Sequence, residues 1–325
     1  MRYSIVIPLF NRPSEISELL ESLVHQSLPL DGLAEVVVVE DGSTISSQQV
    51  IELYSERLTI KYLTKENEGP ALARNFGVEH SQGEWLIFLD SDTVMPEGWL
   101  EAVDRGVKRG DIDAWGGADR ASADFTPVQK AINYSMTSML TTGGIRGKKK
   151  SAEKFHPRSF NMGMKRELFL KVGGFSAMRF GEDIDLSIRL MQAGARTVLL
   201  PEAWVYHKRR VDFRKFYRQV RASGVARVWL SKRHRGSLKI VHLFPMCFVW
   251  FVVATVVGAA FTPWAWSLLG LWAAMITLDS SVRNGGIEIG ILSLVASFVQ
   301  LWGYGVGFMW GVMGATKNVE KNFYK

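Results

Sequence analysis

A run of five apolar residues that ends on two acids constrains this chain more than any other feature. Trp85–Leu89 is apolar throughout, which predicts a strand buried on both faces, and Asp90 and Asp92 follow it directly. In an open α/β sheet, the carboxyl end of such a strand lies at the rim where ligands bind. Two carboxylates separated by one residue suit a hard divalent cation, which commonly holds phosphates. The alternative is an Asp-rich turn that caps a helix over residues 92–104.

Strand and helix patterns alternate through the first ninety residues. β-rich apolar runs occupy residues 3–9, 35–39, 58–63 and 85–89, and helical spacing occupies residues 14–26 and 69–80. This order predicts an α/β fold with a doubly wound parallel sheet. Polar clusters follow three of the strands: Asn11-Arg12, Glu40-Asp41-Gly42-Ser43 and Asp90-Ser91-Asp92. One such cluster is ordinary turn chemistry, but three at one sheet edge favour a nucleotide-sized site.

Four motifs, in this order along the chain, resemble those of glycosyltransferase family 2. They are Val6-Ile7-Pro8-Leu9-Phe10-Asn11, Glu40-Asp41-Gly42-Ser43-Thr44, Asn67-Glu68-Gly69-Pro70-Ala71-Leu72-Ala73-Arg74-Asn75 and Phe88-Leu89-Asp90-Ser91-Asp92. The resemblance extends from about residue 3 to residue 210. It implies a GT-A fold, which is a Rossmann-like, mostly parallel sheet with flanking helices, and a nucleoside-diphosphate sugar as the donor.

The resemblance also implies roles for residues on the donor side. The donor-binding set is Pro8, Phe10, Asn11, Asp41, Arg74 and Asp90. Within it, Asp41 is expected to read the nucleobase and Arg74 to lie near the diphosphate. Glu40 stands where the family more often has Asp, and we expect this change to be tolerated.

A divalent cation, Mg²⁺ or Mn²⁺, is the implied cofactor. The resemblance places Asp92 on this cation and Asp90 on the cation or the donor ribose. His207 occupies a position where some relatives have a third metal ligand or a phosphate contact. A single histidine after a strand is more often structural, so both interpretations of His207 stay open.

A second signature of the family lies on the acceptor side. Gly173-Gly174-Phe175 precedes the run Gly181–Leu190, which has helical spacing from about residue 182 to residue 193. Spacing alone favours acids that interact with the helix dipole. The resemblance instead implies that Asp183 is the base that deprotonates the acceptor hydroxyl, with inversion at the anomeric carbon. The acceptor or sugar pocket is expected to include Asn161, Gly174 and Glu182.

The surplus positive charge is local. Residues 201–240 contain twelve Lys and Arg and two acids, a larger surplus than the +7 of the whole chain. A basic stretch directly before an apolar tail indicates an anionic membrane surface and not nucleic acid. Within it, residues 213–227 have a basic amphipathic pattern, typical of an interfacial helix or of a helix packed under the catalytic domain.

The last quarter of the chain is apolar. Residues 241–261 and 287–313 are each long enough to span a bilayer, and residues 264–278 are shorter. We therefore predict a GT-A catalytic domain over residues 1–210, a basic amphipathic interfacial region over 211–240, and a transmembrane region of two or three helices over 241–325. The basic flank predicts that the catalytic domain faces the cytoplasm at the inner membrane. The single cysteine, Cys247, excludes an internal disulfide framework.

These features predict a metal-dependent, inverting glycosyltransferase that uses a nucleoside-diphosphate sugar, in the first instance a UDP-sugar. Its expected acceptor is a lipid-linked saccharide or another membrane lipid of cell-envelope glycan synthesis. Residues 219–222 lack the Gln-x-x-Arg-Trp signature of polymerising relatives, which favours transfer of one sugar. Two alternatives are transfer to a polyprenyl phosphate and a catalytically inactive scaffold that binds nucleotide sugar. Residues 138–155 are interpreted as a lid loop or as a solvated surface loop.

Overall fold

The computed structural model describes residues 2–120, 125–142, 155–208 and 210–314. It divides into two compact units, of which the first comprises Met1–Ser122 and Phe155–Lys208. The second comprises Ala123–Lys154 and Arg209–Lys325. The sequence analysis assigned residues 1–210 to one domain. In the structure, residues 123–154 within that range belong to the second unit. Most of the predicted lid loop, residues 143–154, lies outside the described residues.

The described residues form eight strands and twelve α-helices. The strands are β1 (Tyr3–Leu9), β2 (Ala34–Asp41), β3 (Ile60–Lys65), β4 (Trp85–Leu89), β5 (Thr93–Val94), β6 (Ala114–Arg120), β7 (Asn161–Lys165) and β8 (Thr197–His207). The helices are α1 (Pro13–Val24), α2 (Gln48–Glu52), α3 (Pro70–Glu79), α4 (Trp99–Lys108), α5 (Pro127–Thr137), α6 (Met139–Thr142), α7 (Arg166–Lys171), α8 (Glu182–Gln192), α9 (Phe213–Arg233), α10 (Phe244–Ala259), α11 (Ser267–Asn284) and α12 (Ile287–Met313).

The first unit is a single mixed sheet with helices on its faces. Its strand order is β3-β2-β1-β4-β7-β6-β8-β5. The four strands β3, β2, β1 and β4 are parallel, with Leu9 opposite Glu40 and Val6 opposite Phe88. Every residue of β2 and β4 is buried, as expected for strands covered on both faces. The predicted α/β core is thus confirmed, and the carboxyl ends of β1, β2 and β4 meet at one edge.

Strand β7 departs from the parallel order because it runs antiparallel to both β4 and β6. A glycine permits its close packing: a Cβ on Gly163 would lie 2.5 Å from the Trp115 ring. The strand therefore tolerates a large fully buried indole on its neighbour β6. The sequence pattern did not predict this strand direction, since period-two alternation carries no information about it.

The acids after β4 do not cap the next helix. Asp92 is followed by the short strand β5, and α4 begins only at Trp99 with Gly98 as its N-cap. The predicted helix over residues 92–104 is therefore wrong at its start. Because Thr93 pairs with His207 in the antiparallel β5–β8 ladder, the end of β8 lies directly beside Asp92.

In the second unit, three helices share an apolar core. The apolar faces of α5, α9 and α12 meet in a cluster that includes Ala131, Phe216 and Ala296. Helices α9 and α12 approach so closely that a Cβ on Gly307 would lie 2.0 Å from the Arg221 carbonyl oxygen. Such contact requires glycine, as in helix pairs with small residues at their interface. The apolar side of the predicted amphipathic helix α9 therefore packs within its own unit.

Among the residues that the structure describes, two helical stretches are long and apolar enough to cross a membrane by length and composition. They are Pro263–Asn284, which is 11% buried over its most apolar window, and Ile287–Met313, which is 44% buried. The stretch 241–261, which we expected to span, forms a helix of only 16 residues because Pro245 lies in its first turn and the chain turns at Thr262-Pro263. The stretch 264–278 extends further than expected, and includes an Asp279–Arg283 ion pair of 2.8 Å.

Candidate active site

The three predicted polar clusters lie together at the carboxyl edge of the parallel strands. Asn11 adopts a positive φ of 53°, a conformation that asparagine tolerates better than most residues. Its Oδ1 accepts hydrogen bonds from the Thr44 and Ile45 backbone N–H groups at 2.8 and 3.0 Å. Asn11 therefore joins the loop after β1 to the loop after β2. Pro8, in β1, and Phe10, directly after β1, are half-buried.

Asp41 is buried, and its carboxylate holds the loop that precedes α3. It accepts hydrogen bonds from the Glu68 and Gly69 N–H groups at 3.0 and 2.8 Å and from Lys65 Nζ at 3.2 Å. A carboxylate has about four lone-pair positions, so Asp41 retains the capacity for one more donor. The sequence analysis did not anticipate this loop-holding role.

Glu40, which replaces the aspartate more usual at this position, is fully accommodated. Its carboxylate accepts a hydrogen bond from the Ser47 backbone N–H at 3.2 Å and another from the Tyr62 hydroxyl. Burial and this carboxylate together raise the pKa of Tyr62. The extra methylene of Glu40 thus reaches partners within the fold.

Asp90, Asp92 and His207 form the only group of acids or imidazoles in the described ranges whose ligand atoms could hold a metal ion. These atoms all lie within 4.8 Å of one another. Asp92 Oδ2 accepts a hydrogen bond from Arg12 at 2.6 Å, and Asp92 Oδ1 lies 3.3 Å from His207 Nε2. Phe160 stacks on the His207 ring at 4.9 Å and so fixes its plane.

The donor set fits a divalent cation. Asp92 Oδ1 is buried without a hydrogen-bond partner among the described residues, which is costly unless a cation or a charged group faces it. Two carboxylates and an imidazole suit Mn²⁺, and the carboxylates suit Mg²⁺. Burial raises the pKa of Asp92, but the neighbouring His207 and the charge and hydrogen bond of Arg12 outweigh it and hold this pKa well below its usual range. Asp92 is therefore ionised.

Arg74 is buried between the two sides of the site. Its Nη2 donates to Asp90 at 2.6 Å and its Nη1 donates to Glu182 at 3.1 Å. The Phe175 ring lies against the guanidinium at 5.3 Å. Both terminal nitrogens of Arg74 are thus engaged within the protein, although sequence analysis placed this residue near the diphosphate.

Glu182 and Asp183 occupy the first turn of α8, as the helical pattern predicts. Asp183 Oδ2 accepts a hydrogen bond from Arg158 Nε at 2.6 Å, and Oδ1 accepts one from the Ile184 N–H at 2.8 Å. Gly181, with φ of 76°, forms the N-cap in the left-handed region that favours glycine. Two neighbouring buried acids therefore have different arginine partners.

The two acids also differ in protonation. Burial, the adjacent Asp183 charge and Asp90 raise the pKa of Glu182 to about 7 despite its contact with Arg74. Burial also raises the pKa of Asp183, but the Arg158 charge and the Ile184 hydrogen bond outweigh it, so this pKa falls below its usual value. At neutral pH, Asp183 is ionised and Glu182 is partly protonated.

The other predicted acceptor-side residues have structural partners. Asn161 is fully buried, and its amide accepts from Trp99 Nε1 at 3.1 Å and donates to the Ala203 carbonyl at 2.7 Å. Gly174 has a φ of 65°, and its carbonyl accepts from Arg189 at 2.7 Å. These residues hold β7 and the loop before α8 in place.

Arg158 is a site residue that sequence analysis did not single out. It lies between the predicted loop and β7, 25 residues before its partner Asp183, and belongs to none of the quoted motifs. The one available signal was that Asp183, a buried acid, needs a positively charged partner, and the sequence does not show which residue supplies it.

Comparison with known proteins identifies the family of this chain. The profile of Glycosyl transferase family 2 matches residues 4–173, which is more than half of the chain. The chain belongs to glycosyltransferase family 2. Among curated relatives of this family 2 glycosyltransferase, an uncharacterized glycosyltransferase of Haemophilus influenzae is 32% identical over 198 residues, which cover 58% of this chain and 62% of the relative.

Other relatives are matched over shorter stretches. The Staphylococcus aureus poly(ribitol-phosphate) β-N-acetylglucosaminyltransferase TarS is 38% identical over 94 residues, which cover 28% of this chain. This family 2 chain spans 62% of the length of the Haemophilus relative and 16% of TarS.

Solved structures share the GT-A fold. The Pyrobaculum calidifontis mannosyltransferase PcManGT, in complex with GDP-Man and Mn²⁺, matches with a TM-score of 0.66 at 21% identity and covers 93% of this chain and 87% of its own. TarS residues 1–349 in complex with UDP-GlcNAc match with a TM-score of 0.51 at 19% identity, covering 97% and 92%. At these identities the likeness establishes the fold of the family 2 chain.

Proposed function

We propose that this family 2 glycosyltransferase transfers one sugar from a nucleoside-diphosphate sugar to a membrane-bound acceptor, with inversion. The convergence of Asp90, Asp92 and His207 at the edge of the parallel sheet carries this proposal. Ligands bind at this edge in open α/β folds, and a nucleoside diphosphate needs positive charge there. The buried acids of α8 supply the second half of the reaction.

Asp90, Asp92 and His207 would hold a divalent cation. When bound, this cation would stabilise the negative charge that develops on the departing nucleoside diphosphate. Asp92 is ionised for this role because Arg12 and His207 lower its pKa. His207 is held in place by the β5–β8 ladder and the Phe160 ring.

Asp183 is the general base of the proposed reaction. Its hydrogen bonds with Arg158 and Ile184 N–H use two of about four lone-pair positions, so an acceptor hydroxyl can donate to the carboxylate. Arg158 keeps Asp183 ionised and therefore ready to accept the proton as the hydroxyl attacks. Attack on the face opposite the leaving nucleotide inverts the anomeric carbon.

The proposed donor is a UDP-sugar. Asp41 can accept one more hydrogen bond, as a nucleobase imide N–H would supply, while it fixes the Glu68–Gly69 loop. Pro8, Phe10 and Asn11 are proposed to line the nucleotide pocket. A TarS structure contains UDP-GlcNAc, whereas the PcManGT structure contains GDP-Man, so the nucleotide has to be tested directly.

The proposed acceptor is a lipid-linked saccharide of cell-envelope glycan synthesis. Relatives include poly(ribitol-phosphate) glycosyltransferases of Staphylococcus aureus and Bacillus spizizenii. Two helices suited to crossing a membrane and the basic, partly exposed side of α9 support a site at an anionic membrane surface. We place the catalytic unit on the cytoplasmic side of the inner membrane, as the basic flank favours.

Purified protein and a panel of UDP-, GDP- and dTDP-sugars test this function. The assay measures nucleotide release with Mn²⁺, Mg²⁺ or EDTA, with and without a membrane lipid extract. We expect release from one nucleotide class that stops with EDTA and rises with lipid. Asp31→Asn, which changes an exposed loop acid, is the matched control for site variants. No turnover with any donor, despite binding of one nucleotide, would favour the scaffold alternative.

A second candidate is transfer to a polyprenyl phosphate. It is favoured by Arg158, which places a guanidinium with 38% side-chain exposure beside Asp183 and could pair with an anionic acceptor. Such an acceptor brings its own anionic nucleophile and has little need of a base. Retained activity of Asp183→Asn with a polyprenyl phosphate would support this candidate, and loss of that activity would exclude it.

A further inference from the structure

A buried chain of ion pairs connects the candidate cation site to the catalytic helix. Arg74, whose side chain is 3% exposed, contacts Asp90 with one terminal nitrogen and Glu182 with the other. Asp90 follows β4, Arg74 belongs to α3, and Glu182 begins α8. A guanidinium buried between two carboxylates has little freedom to leave either of them, because an unpaired buried charge is costly.

The surroundings of Arg74 hold it in this bridging position. Phe175 covers one face of the guanidinium at 5.3 Å. Asn75, the next residue of α3, clamps Phe175 in turn: its amide donates to the Phe175 carbonyl at 2.8 Å and accepts from the Phe175 N–H at 2.9 Å. The ring of Phe175 also packs edge-on against Phe88 of β4. The bridge is therefore fixed by contacts independent of its ion pairs.

One guanidinium serves two carboxylates, and a cation would compete with it for Asp90. We infer that Arg74 and Glu182 are positioning residues that couple cation binding at Asp90 to the acid pair of α8. Glu182 draws Arg74 away from Asp90 and adds negative charge nearby, and both effects favour a cation on Asp90. Conversely, a bound cation leaves Arg74 more fully to Glu182. This coupling is reciprocal by linkage, and it rests on the cation site of the proposed function.

The inference predicts that Glu182, although not a ligand, controls Mn²⁺ affinity. Mn²⁺ binding by calorimetry and by the electron paramagnetic resonance of free Mn²⁺ is measured on the full chain at pH 8, where Glu182 is ionised. We expect Glu182→Gln to weaken Mn²⁺ binding by about fivefold or more. Asp183→Asn removes a neighbouring charge that pairs with Arg158 and not Arg74, so its effect should be less than twofold.

A double-substitution cycle tests the role of Arg74. Arg74→Lys keeps the charge but cannot reach two carboxylates in a fork, so Glu182→Gln should have little additional effect in that background. Melting curves confirm that each variant is folded. Equal effects of Glu182→Gln and Asp183→Asn, or no effect of Glu182→Gln, would overturn the coupling. Failure of the unsubstituted protein to bind Mn²⁺ would instead refute the cation site itself.

Discussion

Two pairs of neighbouring acids in the first unit, Asp90 with Asp92 and Glu182 with Asp183, are held in different ways. Asp90 and Asp92 follow β4, are separated by Ser91, and are faced by Arg74, Arg12 and His207. Glu182 and Asp183 begin a helix, are directly adjacent, and have one arginine each. Asp90 and Asp92, the strand-end pair, place two carboxylates close together, as in a cation site. The helix pair is divided into one ionised and one partly protonated acid.

This difference follows from the balance of burial against positive charge. Asp92 lies beside His207 and accepts a hydrogen bond from Arg12, and these partners outweigh its burial. Asp183 has Arg158 and a backbone N–H, with the same result. Glu182 shares Arg74 with Asp90, so burial and the neighbouring acids outweigh this arginine and raise the pKa of Glu182. Adjacent residues with opposite shifts are a pattern typical of acid–base sites.

The largest expected effect on activity comes from substitution of Asp92 in the strand-end pair. Asp92→Asn removes a proposed cation ligand and should lower kcat by about 10³-fold, comparable to loss of a principal electrostatic contact to the transition state. Turnover and Mn²⁺ binding are measured together, with Asp31→Asn as the control. If Asp92→Asn keeps normal Mn²⁺ dependence, the cation is not held at this pair.

The next effect concerns the ionised member of the helix pair. Asp183→Asn should lower kcat by about 100-fold with a hydroxyl acceptor, because the proton acceptor is lost, while donor affinity changes little. Single-turnover rates and nucleotide binding are the measurements. A larger loss in Glu182→Gln than in Asp183→Asn would reverse the assignment of the base.

A substitution at Arg158 changes the pKa of Asp183 without removing either acid of the helix pair. Arg158→Gln removes the charge that lowers the pKa of Asp183, so the acidic limb of the kcat/KM profile should move to higher pH. Activity then falls most below neutral pH and recovers as pH rises. Arg158→Lys, which keeps the charge, is the matched control and should move the limb less. An unchanged limb would mean that another group governs it.

The smallest expected effect is on stability. Because the pKa of folded Glu182 is raised above its usual value of 4.5 to about 7, the folded state holds a proton that the unfolded state has lost between these values. This difference in bound protons lowers the free energy of unfolding as pH rises from about 4.5 to 7. Glu182→Gln removes this contribution to the pH dependence of stability, because glutamine does not titrate.

Melting temperatures in detergent at pH 5 and pH 8 test it. The decrease in Tm from pH 5 to pH 8 should be smaller in Glu182→Gln by about 3 °C. Asp31→Asn should keep the decrease of the unsubstituted protein. A decrease of the same size in Glu182→Gln would show that Glu182 has an ordinary pKa in the folded protein.

Sequence patterns were sufficient for the parallel half of the sheet and for the acids at its edge. Uninterrupted apolar runs identify β2 and β4, and the acids after them mark strand ends. Local patterns could not predict which side chains face these acids. Arg12, Arg158 and His207 lie 80, 25 and 115 residues from their carboxylate partners, and only the folded sheet brings them together.

The apolar quarter was predicted less well because hydropathy does not set helix ends. The stretch 241–261 contains no charge, yet Pro245 and Thr262-Pro263 limit its helix to 16 residues. The helix that ends at Asn284 tolerates Asp279 because Tyr134 of α5 donates to it at 2.6 Å and Arg283 pairs with it. Such tertiary neutralisation cannot be read from the segment alone.

The place of α5 in the second unit determines where this protein can be cut. A fragment that ends at residue 210 would keep α5 and remove its partners α9 and α12. Ala131, Ile132 and Met136, now in a shared core, would then face water. A fragment in which a short linker also replaces residues 121–154 removes this surface. We expect the first fragment to aggregate and the second to stay in solution.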